Sequence, residues 1–261
     1  MGAPGPGRLA ATPGLTPLEA RPRPRLAHGR ATLVDVAIVS WAVPLDVVDR
    51  LLPEGVEPRP VTLDGTSAPI VSAVLYRYGD LRFRGLPFAR LSCAQVHYRT
   101  YVRVGEERGV WFFGTALASR LAVLPRLLWS MPWRHERLSV DAEWSEGRCR
   151  RYRSYADGGG ADLRLTGTGQ PLTAPEVSDP VVGWYPRRDE AIGRLTVWHP
   201  PAHPEAATVE EASFPVLDDL GLVERGAEPV AALVQPSLEI EVHTPPRRLR
   251  SPLRSSLRSF L

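Results

Sequence analysis

The sequence predicts a β-rich α+β protein built on long antiparallel strands that form a closed or nearly closed barrel, or a sandwich. About seven to nine segments are rich in β-branched and aromatic residues, and short turns containing glycine join most of them. Strands do not alternate with helices along the chain, so a parallel sheet is not expected. The 261 residues, 43% hydrophobic and 23% charged, suffice for one large β-rich domain.

The clearest strand signals lie in the first half of the chain. A buried strand is predicted at 33–43, and a short helix follows it from Pro44 to Pro53. The best-defined hairpin joins strands at 94–104 and 110–117 through the turn GEERG. The remaining strands are predicted at 69–78, 138–144, 148–156, 161–167, 194–199 and 237–243.

Apolar periodicity predicts two further helical segments. The first spans 117–133, and we expect Pro125 to kink or split it. A shorter helical stretch at 214–222 ends near Gly221. The apolar stripe of the longer segment consists of Leu117, Leu121, Leu124 and Leu128.

The two ends of the chain differ in composition from its middle. Residues 1–30 are rich in proline and arginine, and we expect a disordered N-terminal tail there. A single β-barrel domain is predicted for 31–249, followed by a basic C-terminal tail at 250–261. The net charge of +3 comes from these ends, so no nucleic-acid partner is expected for the core. The basic C-terminal tail leaves contact with acidic lipid or nucleic acid open.

No cofactor or metal site is indicated by the sequence. Cys93 and Cys149 match neither a disulfide framework nor a metal-ligand spacing, and no nucleotide-binding glycine motif is present. The N-terminus lacks the apolar region of a signal peptide, and no apolar run is long enough to span a membrane. We therefore expect a cytoplasmic protein whose partner is a small-molecule ligand. The oligomeric state stays open.

The main candidate residues share one face of the predicted strand 94–104. His97, Arg99 and Tyr101 alternate there with apolar residues, about 7 Å apart along the strand. If this face points into a barrel, Arg99 offers a planar guanidinium to a carboxylate, phosphate or enolate, and Tyr101 offers a hydroxyl. His97 would add a group that titrates near neutral pH. Alternatively, Arg99 pairs with a buried acid, and the other two are core residues with satisfied hydrogen bonds.

Other candidates carry weaker signals. Trp111, Phe112 and Phe113 are candidates for an apolar pocket wall, with plain core packing as the alternative. His199 and His203 have a metal-like spacing, but the prolines between them impose no common face. Four acids are candidates either for pairing with Arg99 or for acid–base catalysis: Asp141, Glu143, Glu239 and Glu241. The alternative is that they are exposed to solvent.

Several segments resemble the YqjF-like family of uncharacterised bacterial proteins (DUF2071). The run VHYRTYVRVGEERGVWFFGTALASRLAVLPRLLWSMPW, from Val96 to Trp133, resembles the family signature of an RTYV strand, a GV-aromatic-F strand and a helix ending in a small-Pro-aromatic step. The run WAVPLDVVDRLLPEGVEP resembles the start of the same family. Late matches are VWHPP, which supports His199 as a candidate for substrate binding, and PSLEIEVHTPPR at 236–247. The resemblance covers roughly 33–249.

That family is similar to the acetoacetate decarboxylase-like superfamily, which implies a cone-shaped antiparallel barrel around a small-molecule pocket. Decarboxylases of the superfamily use a barrel lysine as a Schiff-base nucleophile. This sequence contains no lysine, and its one primary amine is the N-terminus, on a segment expected to be disordered. Arginine is no substitute, because its guanidinium stays protonated. Imine-forming decarboxylation is therefore not expected.

The leading hypothesis is a cofactor-free, small-molecule-binding barrel, and its catalytic form is an enzyme acting on an oxo- or carboxylate-bearing metabolite. In that form Arg99 and Tyr101 are the catalytic residues. One alternative is a non-catalytic binding or scaffold protein with the same barrel. Another is a peripheral adaptor that acts through the basic C-terminal tail. Whether the chain is an enzyme stays open at this point. The residues assigned to substrate binding are His97, His199, Trp111 and Phe113.

Overall fold

Strands dominate the computed structural model, which describes residues 21, 23–63, 65–157, 161–172, 174–178 and 181–249. Within these ranges the strands are β1 (Gly29–Ala42), β2 (Glu57–Pro58), β3 (Val61–Leu63), β4 (Thr66–Ala68), β5 (Ile70–Phe83), β6 (Leu86–Leu91), β7 (Ala94–Val104), β8 (Glu107–Leu117), β9 (Trp133–His135), β10 (Leu138–Ser145), β11 (Arg148–Ala156), β12 (Asp162–Pro171), β13 (Val182–Pro186), β14 (Ile192–Trp198), β15 (Glu205–Ser213) and β16 (Ala231–Leu249). The helices are α1 (Leu45–Asp49), α2 (Val123–Trp129), α3 (Pro175–Ser178) and α4 (Pro215–Asp219), with a 3-10 turn at Arg120–Ala122.

Seven of these strands close into a barrel in the order β1, β5, β7, β8, β13, β14 and β16. Closure occurs because β16 also pairs with β1, antiparallel, along almost the whole length of β1. The neighbouring strands are antiparallel except β8 and β13, which pair in parallel at two positions. The predicted class, a β-rich α+β protein with an antiparallel barrel and a few inserted helices, is confirmed.

A second layer of sheet covers the outer face of β1, β5 and β7. Strands β15, β12, β11 and β10 continue the sheet from the N-terminal part of β16. Val39, Leu75 and Val96 on the barrel belong to the same buried apolar cluster as Tyr152 and Leu163 of this layer. Because successive side chains of a strand point to opposite faces, the residues beside them in sequence project into the barrel.

Most elements agree with the prediction from the sequence, but no continuous helix forms at 117–133. The predicted hairpin is β7 and β8, and each of the other predicted strands has a counterpart. In place of the long helix lie the 3-10 turn and the short α2. Pro125 falls in the first turn of α2, where its missing N–H would have no helical acceptor, so it neither kinks nor splits α2. Seven strands are additional to the prediction, namely β2, β3, β4, β6, β9, β13 and β15.

The predicted tails lie mostly outside the described residues. This holds for 1–20 and for the whole basic C-terminal tail, 250–261. Strand β1 begins at Gly29, so the last two residues of the segment expected to be disordered belong to the barrel. In the described part of the chain, no helix combines the length and apolarity needed to cross a membrane.

Residues 23–28, which we call the strap, lie against the end of β16. The hydroxyl of Thr244 donates a hydrogen bond to the carbonyl oxygen of Ala27. The ring of His28 stacks on the ring of His243, with the centroids 4.4 Å apart and the planes 15° from parallel. This segment was expected to be disordered, and its bonds to β16 show that the described part of it is attached to the barrel.

Candidate functional site

The barrel contains a cavity of about 730 Å³. This volume falls in the upper half of the range of about 300–1,000 Å³ for pockets that hold drug-sized ligands. Exposed leucines line one end of the cavity, so it reaches the surface there. We call these residues the rim: Leu26 of the strap, Leu86 of β6, and Leu124 and Leu128 of α2.

Polar groups lie deeper, on consecutive inward-facing positions of β7. Gln95, His97 and Arg99 are all buried and all line the cavity. In the barrel register Arg99 lies opposite Phe112 of β8, whereas α2 and its rim residues follow Leu117, the last residue of β8. Five residues of strand span about 17 Å. Arg99 therefore lies far below the opening, at the inner end of this polar run.

Backbone and aromatic contacts hold the Arg99 side chain in place. Its Nη2 atom donates a hydrogen bond of 2.6 Å to the carbonyl oxygen of Val177 in α3. Its guanidinium carbon lies 5.6 Å from the centroid of the Tyr101 ring, within cation–π range. In the described residues Arg99 forms no ion pair with a carboxylate, so its positive charge is not neutralised there by an acidic side chain.

Each of the three inward residues of β7 keeps one buried polar atom without a hydrogen-bond partner among the described residues. These atoms are Oε1 of Gln95, Nε2 of His97 and Nε of Arg99. A buried polar group left unpaired is unfavourable by about 1–3 kcal/mol. Three such atoms on one strand beside one cavity therefore mark a place where a bound molecule can supply partners.

The imidazole of His97 is neutral in this environment. Burial is the main cause that lowers the pKa of His97 well below its usual value, and the positive charge of Arg99 lowers it further. Its Nδ1 lies 3.4 Å from Nε2 of the Gln95 amide, which can only donate. Nδ1 is then the acceptor, and the proton of the neutral ring resides on Nε2, the atom that lacks a partner.

Two tyrosines of β5 complete the polar wall. The Gln95 amide donates to the hydroxyl of Tyr76, which lies 3.4 Å from the hydroxyl of Tyr78. Burial raises the pKa of Tyr76 well above its usual value and that of Tyr78 to about 12. Both phenols are protonated at neutral pH. The site therefore combines one fixed positive charge with neutral hydrogen-bonding groups.

Tyr101 packs against Arg99 but is not among the residues that line the cavity. Its hydroxyl lies 3.0 Å from Oγ of Ser72 and donates to the carbonyl oxygen of Val177 at 3.4 Å. Ser72 is in turn 2.8 Å from Oγ of Ser40. The expectation that Tyr101 offers its hydroxyl to a substrate is thus corrected, because buried partners already occupy that group.

Of the three aromatic candidates for the pocket wall on β8, two face away from the cavity. Trp111 packs outside the barrel with Trp184, and Phe113 packs in part against the cluster beneath the second layer. Neither lines the cavity, whereas Phe112 between them does. The alternation of strand side chains is the physical reason, since neighbours in sequence cannot share a face.

None of the four candidate carboxylates pairs with Arg99. Asp141 and Glu143 are exposed on β10 beside Arg151, and Glu239 is exposed on β16. Glu241 is buried, and its partners are the arginines at 21, 30 and 84. Its side chain binds the N-terminal segment through Arg21. The alternative that one of the four acids pairs with Arg99 is therefore wrong, and three of the four are exposed to solvent, as the other alternative predicted.

The two histidines of the WHPPAHP loop do not share a face, as the prolines between them predict. His199 is buried and lines the cavity, with Nδ1 donating to the carbonyl oxygen of Pro200 at 2.7 Å. His203 is exposed, and its backbone N–H donates to the Gln235 side chain. No group of three or more metal-ligating side chains occurs in the part of the chain that the structure describes.

Four groups of the candidate site escaped the sequence analysis: Gln95, Tyr76, Tyr78 and the carbonyl of Val177. The first three belong to strands that were predicted, and an inward position could have been assigned to Gln95 by extending the alternation of β7 by two residues. The carbonyl of Val177 carries no sequence signal, because any residue there would supply the same group.

With this geometry in hand, comparison with solved structures defines the class of fold. The enduracididine biosynthesis enzyme MppR complexed with pyruvate has a TM-score of 0.60 at 13% identity, covering 93% of this chain and 98% of that one. Acetoacetate decarboxylase from Legionella pneumophila gives 0.57 at 14% identity, covering 89% and 94%. An acetoacetate decarboxylase-like enzyme from Sphingomonas wittichii RW1 gives 0.58 at 12%, covering 87% and 94%. The chain has an acetoacetate decarboxylase-like fold.

Comparison of the sequence with models of protein families identifies the family of this chain. The model of DUF2071, described as "Uncharacterized conserved protein", matches residues 30–239. The chain therefore belongs to the DUF2071 family, as the resemblance predicted. No protein with curated annotation matches it significantly.

Proposed function

We propose that this protein binds a small metabolite with a carboxylate or oxo group in the barrel cavity, with the Arg99 guanidinium as anion anchor and His97 as a second donor. The observation that carries this proposal is the row of unpartnered buried polar atoms on Gln95, His97 and Arg99. Two of these residues supply N–H donors, and an oxyanion or carbonyl oxygen accepts from both.

The electrostatics of the site favour an anion. Arg99 is buried without a carboxylate partner among the described residues, and a buried charge is strongly unfavourable until an opposite charge compensates it. A carboxylate compensates it with charge-assisted hydrogen bonds, which are about twice as strong as neutral ones. Binding such a ligand stabilises the folded protein by mass action.

The chemistry open to this site differs from imine formation. The chain contains no lysine, and a guanidinium is not a competent amine nucleophile. The neutral His97 and protonated Tyr76 are hydrogen-bonding groups at neutral pH. In a catalytic form of the proposal, Arg99 and His97 would polarise a carbonyl and stabilise an enolate next to the bound carboxylate. The non-catalytic alternative uses the same contacts for binding alone.

The fold relatives support an acid as the ligand class. One of them, MppR, is complexed with pyruvate, which carries both a carboxylate and an oxo group. In this chain, His199 and Phe112 also line the cavity and extend the proposed ligand surface beyond β7. The roles of these residues are proposals for this chain.

Native mass spectrometry of the purified protein tests the proposal. We expect a co-purifying acid on the wild type, its loss in Arg99→Gln and its retention in Arg103→Gln. Arg103 is a matched control, because it lies on the same strand but is exposed and paired with Glu57. Retention of the acid by Arg99→Gln with native circular dichroism would contradict the proposal. An Arg99→Gln chain that fails to fold, while Arg99→Lys folds and also lacks any acid, would favour the scaffold alternative.

We also propose a single domain over residues 31–249 and a cytoplasmic location. The continuity of the sheet supports the first, because β16, the last described strand, pairs with β1, the first. Two free cysteines support a reducing compartment. Limited proteolysis tests the first proposal by the size of the resistant fragment, and fractionation of the native host tests the second.

A further inference from the structure

The cavity has a polar side, formed by β7 and β5, and a larger apolar side. Outward from Arg99, the polar run continues through His97 and Gln95, and the rest of the wall includes buried aliphatic side chains of several strands, among them Val74, Leu117, Leu195 and Ile240. A small acid such as pyruvate, placed at Arg99, would contact only the inner end of this volume. The remaining apolar wall is a surface that a longer ligand can dehydrate.

We infer that the ligand is an amphipathic monocarboxylic acid, with its carboxylate at Arg99 and an extended apolar body that follows the barrel to the rim. This inference rests on the proposed function and specifies its ligand class. It predicts a head group with one negative charge and a tail that gains affinity with length.

The count of positive charges supports a single negative charge on the head group. Among the described residues that line the cavity, the arginines are Arg99 and Arg90. Arg90 is exposed near the opening and lies 3.6 Å from Asp80, so it is partnered and remote from the inner end. A phosphate monoester carries about 1.5–2 negative charges at neutral pH and would leave part of that charge uncompensated beside Arg99.

The opening of the cavity supports an apolar body. Leu128 of α2 is 66% exposed although it lines the cavity, and Leu86 and Leu26 form the rest of an apolar margin. Contiguous exposed apolar surface around a cavity is typical of sites that admit apolar ligands. Leu127, the residue before Leu128, is 64% exposed but does not line the cavity.

Isothermal titration with straight-chain carboxylates tests the inference. The probes are butanoate, octanoate, dodecanoate and hexadecanoate below their micellar concentrations, with pyruvate and dodecanol for comparison. Each methylene that enters the apolar wall is expected to tighten binding about fourfold until the chain reaches the rim. Dodecanoate should bind at least tenfold more tightly than dodecanol, because only the acid pairs with Arg99.

Two adjacent residues of α2 give a matched pair of variants. Leu128→Glu places a charge at the rim and should weaken dodecanoate at least tenfold while leaving butanoate unchanged. Leu127→Glu, equally exposed on the same helix, should leave both unchanged. Both positions are exposed, so neither change removes core packing, and circular dichroism confirms the fold.

The outcomes separate this inference from the function on which it rests. If pyruvate binds as tightly as dodecanoate and Arg99→Gln abolishes both, the apolar body is refuted and the anion site stands. If dodecanoate and dodecanol bind equally and Arg99→Gln changes neither, the anion anchor is refuted. Failure of every acid in the series to bind would overturn the inference of an amphipathic acid, and the co-purified ligand would then decide the proposed function.

Discussion

Nη2 of Arg99 and the carbonyl oxygen of Val177 form a hydrogen bond of 2.6 Å between the barrel wall and α3. The bond joins residues far apart in the chain and holds the guanidinium at the inner end of the cavity. The same carbonyl accepts from the hydroxyl of Tyr101 at 3.4 Å. One backbone oxygen thus orients both the proposed anchor and the ring on which that anchor lies.

The ring of Tyr101 is therefore expected to act as a positioning group for Arg99. Tyr101→Leu removes the cation–π contact and should weaken the binding of a carboxylate probe by about three- to thirtyfold. Tyr101→Phe keeps the ring and should restore most of the affinity. Titration calorimetry of both variants measures the difference. An equal loss in the two would show that the hydroxyl network, and not the ring, positions the arginine.

The buried His97 should make stability depend on pH in acid. Its pKa is lowered in the folded state, so below its ordinary value of about 6.5 the unfolded chain binds the additional proton and stability falls as pH falls. His97→Gln removes this contribution. Between pH 7.5 and 5.5 the free energy of unfolding of the wild type should therefore fall more than that of the variant, by roughly 1 kcal/mol. Urea unfolding at both pH values measures it, and parallel pH curves would contradict it.

The strap should loosen in acid for a related reason. His28 and His243 are stacked, and burial is the main cause that lowers the pKa of each. Arg25 and Arg84 lower that of His28 further, whereas Glu241 opposes the shift at both. Protonation of both rings in acid then places two like charges together.

Hydrogen exchange resolved along the chain measures this loosening. Amides of residues 23–28 should exchange faster at pH 5 than at pH 7.5, after correction for intrinsic rates. His28→Phe keeps a stacked ring without a charge and should remove this difference. A difference of the same size in the variant would exclude the histidine pair as its cause.

The carboxylate of Asp35 is expected to hold the second layer of sheet to the barrel. It is buried, accepts from Nε1 of Trp144 at 2.8 Å and pairs with Arg77. Asp35→Ala leaves these donors unpaired and should lower the free energy of unfolding by roughly 2–4 kcal/mol. Asp35→Asn still accepts from Trp144 and tolerates the local φ of 55°, so its loss should be smaller. Urea titration compares the two, and equal stabilities would refute this role.

Much of the barrel and the position of Arg99 could be predicted because they depend on local patterns. The alternation in AQVHYRTYVRV places His97 and Arg99 on one face, whichever strand lies beside them. On the neighbouring strand the pattern did not separate three aromatic candidates, of which Phe112 lines the cavity and Trp111 and Phe113 do not. Alternation alone defines two faces of a strand and does not identify the inner one.

A bulge in the pairing of β7 and β8 adds to this difficulty. Tyr98 lies opposite Gly114 and Arg99 opposite Phe112, so Phe113 is an extra residue on β8. Such an extra residue reverses the alternation on one side of it. No sequence pattern marks the bulge in advance.

Composition alone determined which functional groups this sequence contains. It contains no lysine, and that holds in any fold, because folding rearranges functional groups and creates none. Tertiary structure alone decided which groups meet. The unpaired atoms of His97 and Arg99, the carbonyl of Val177 and the apolar wall up to the rim come together only when the barrel closes, since their contacts join residues that are distant in sequence.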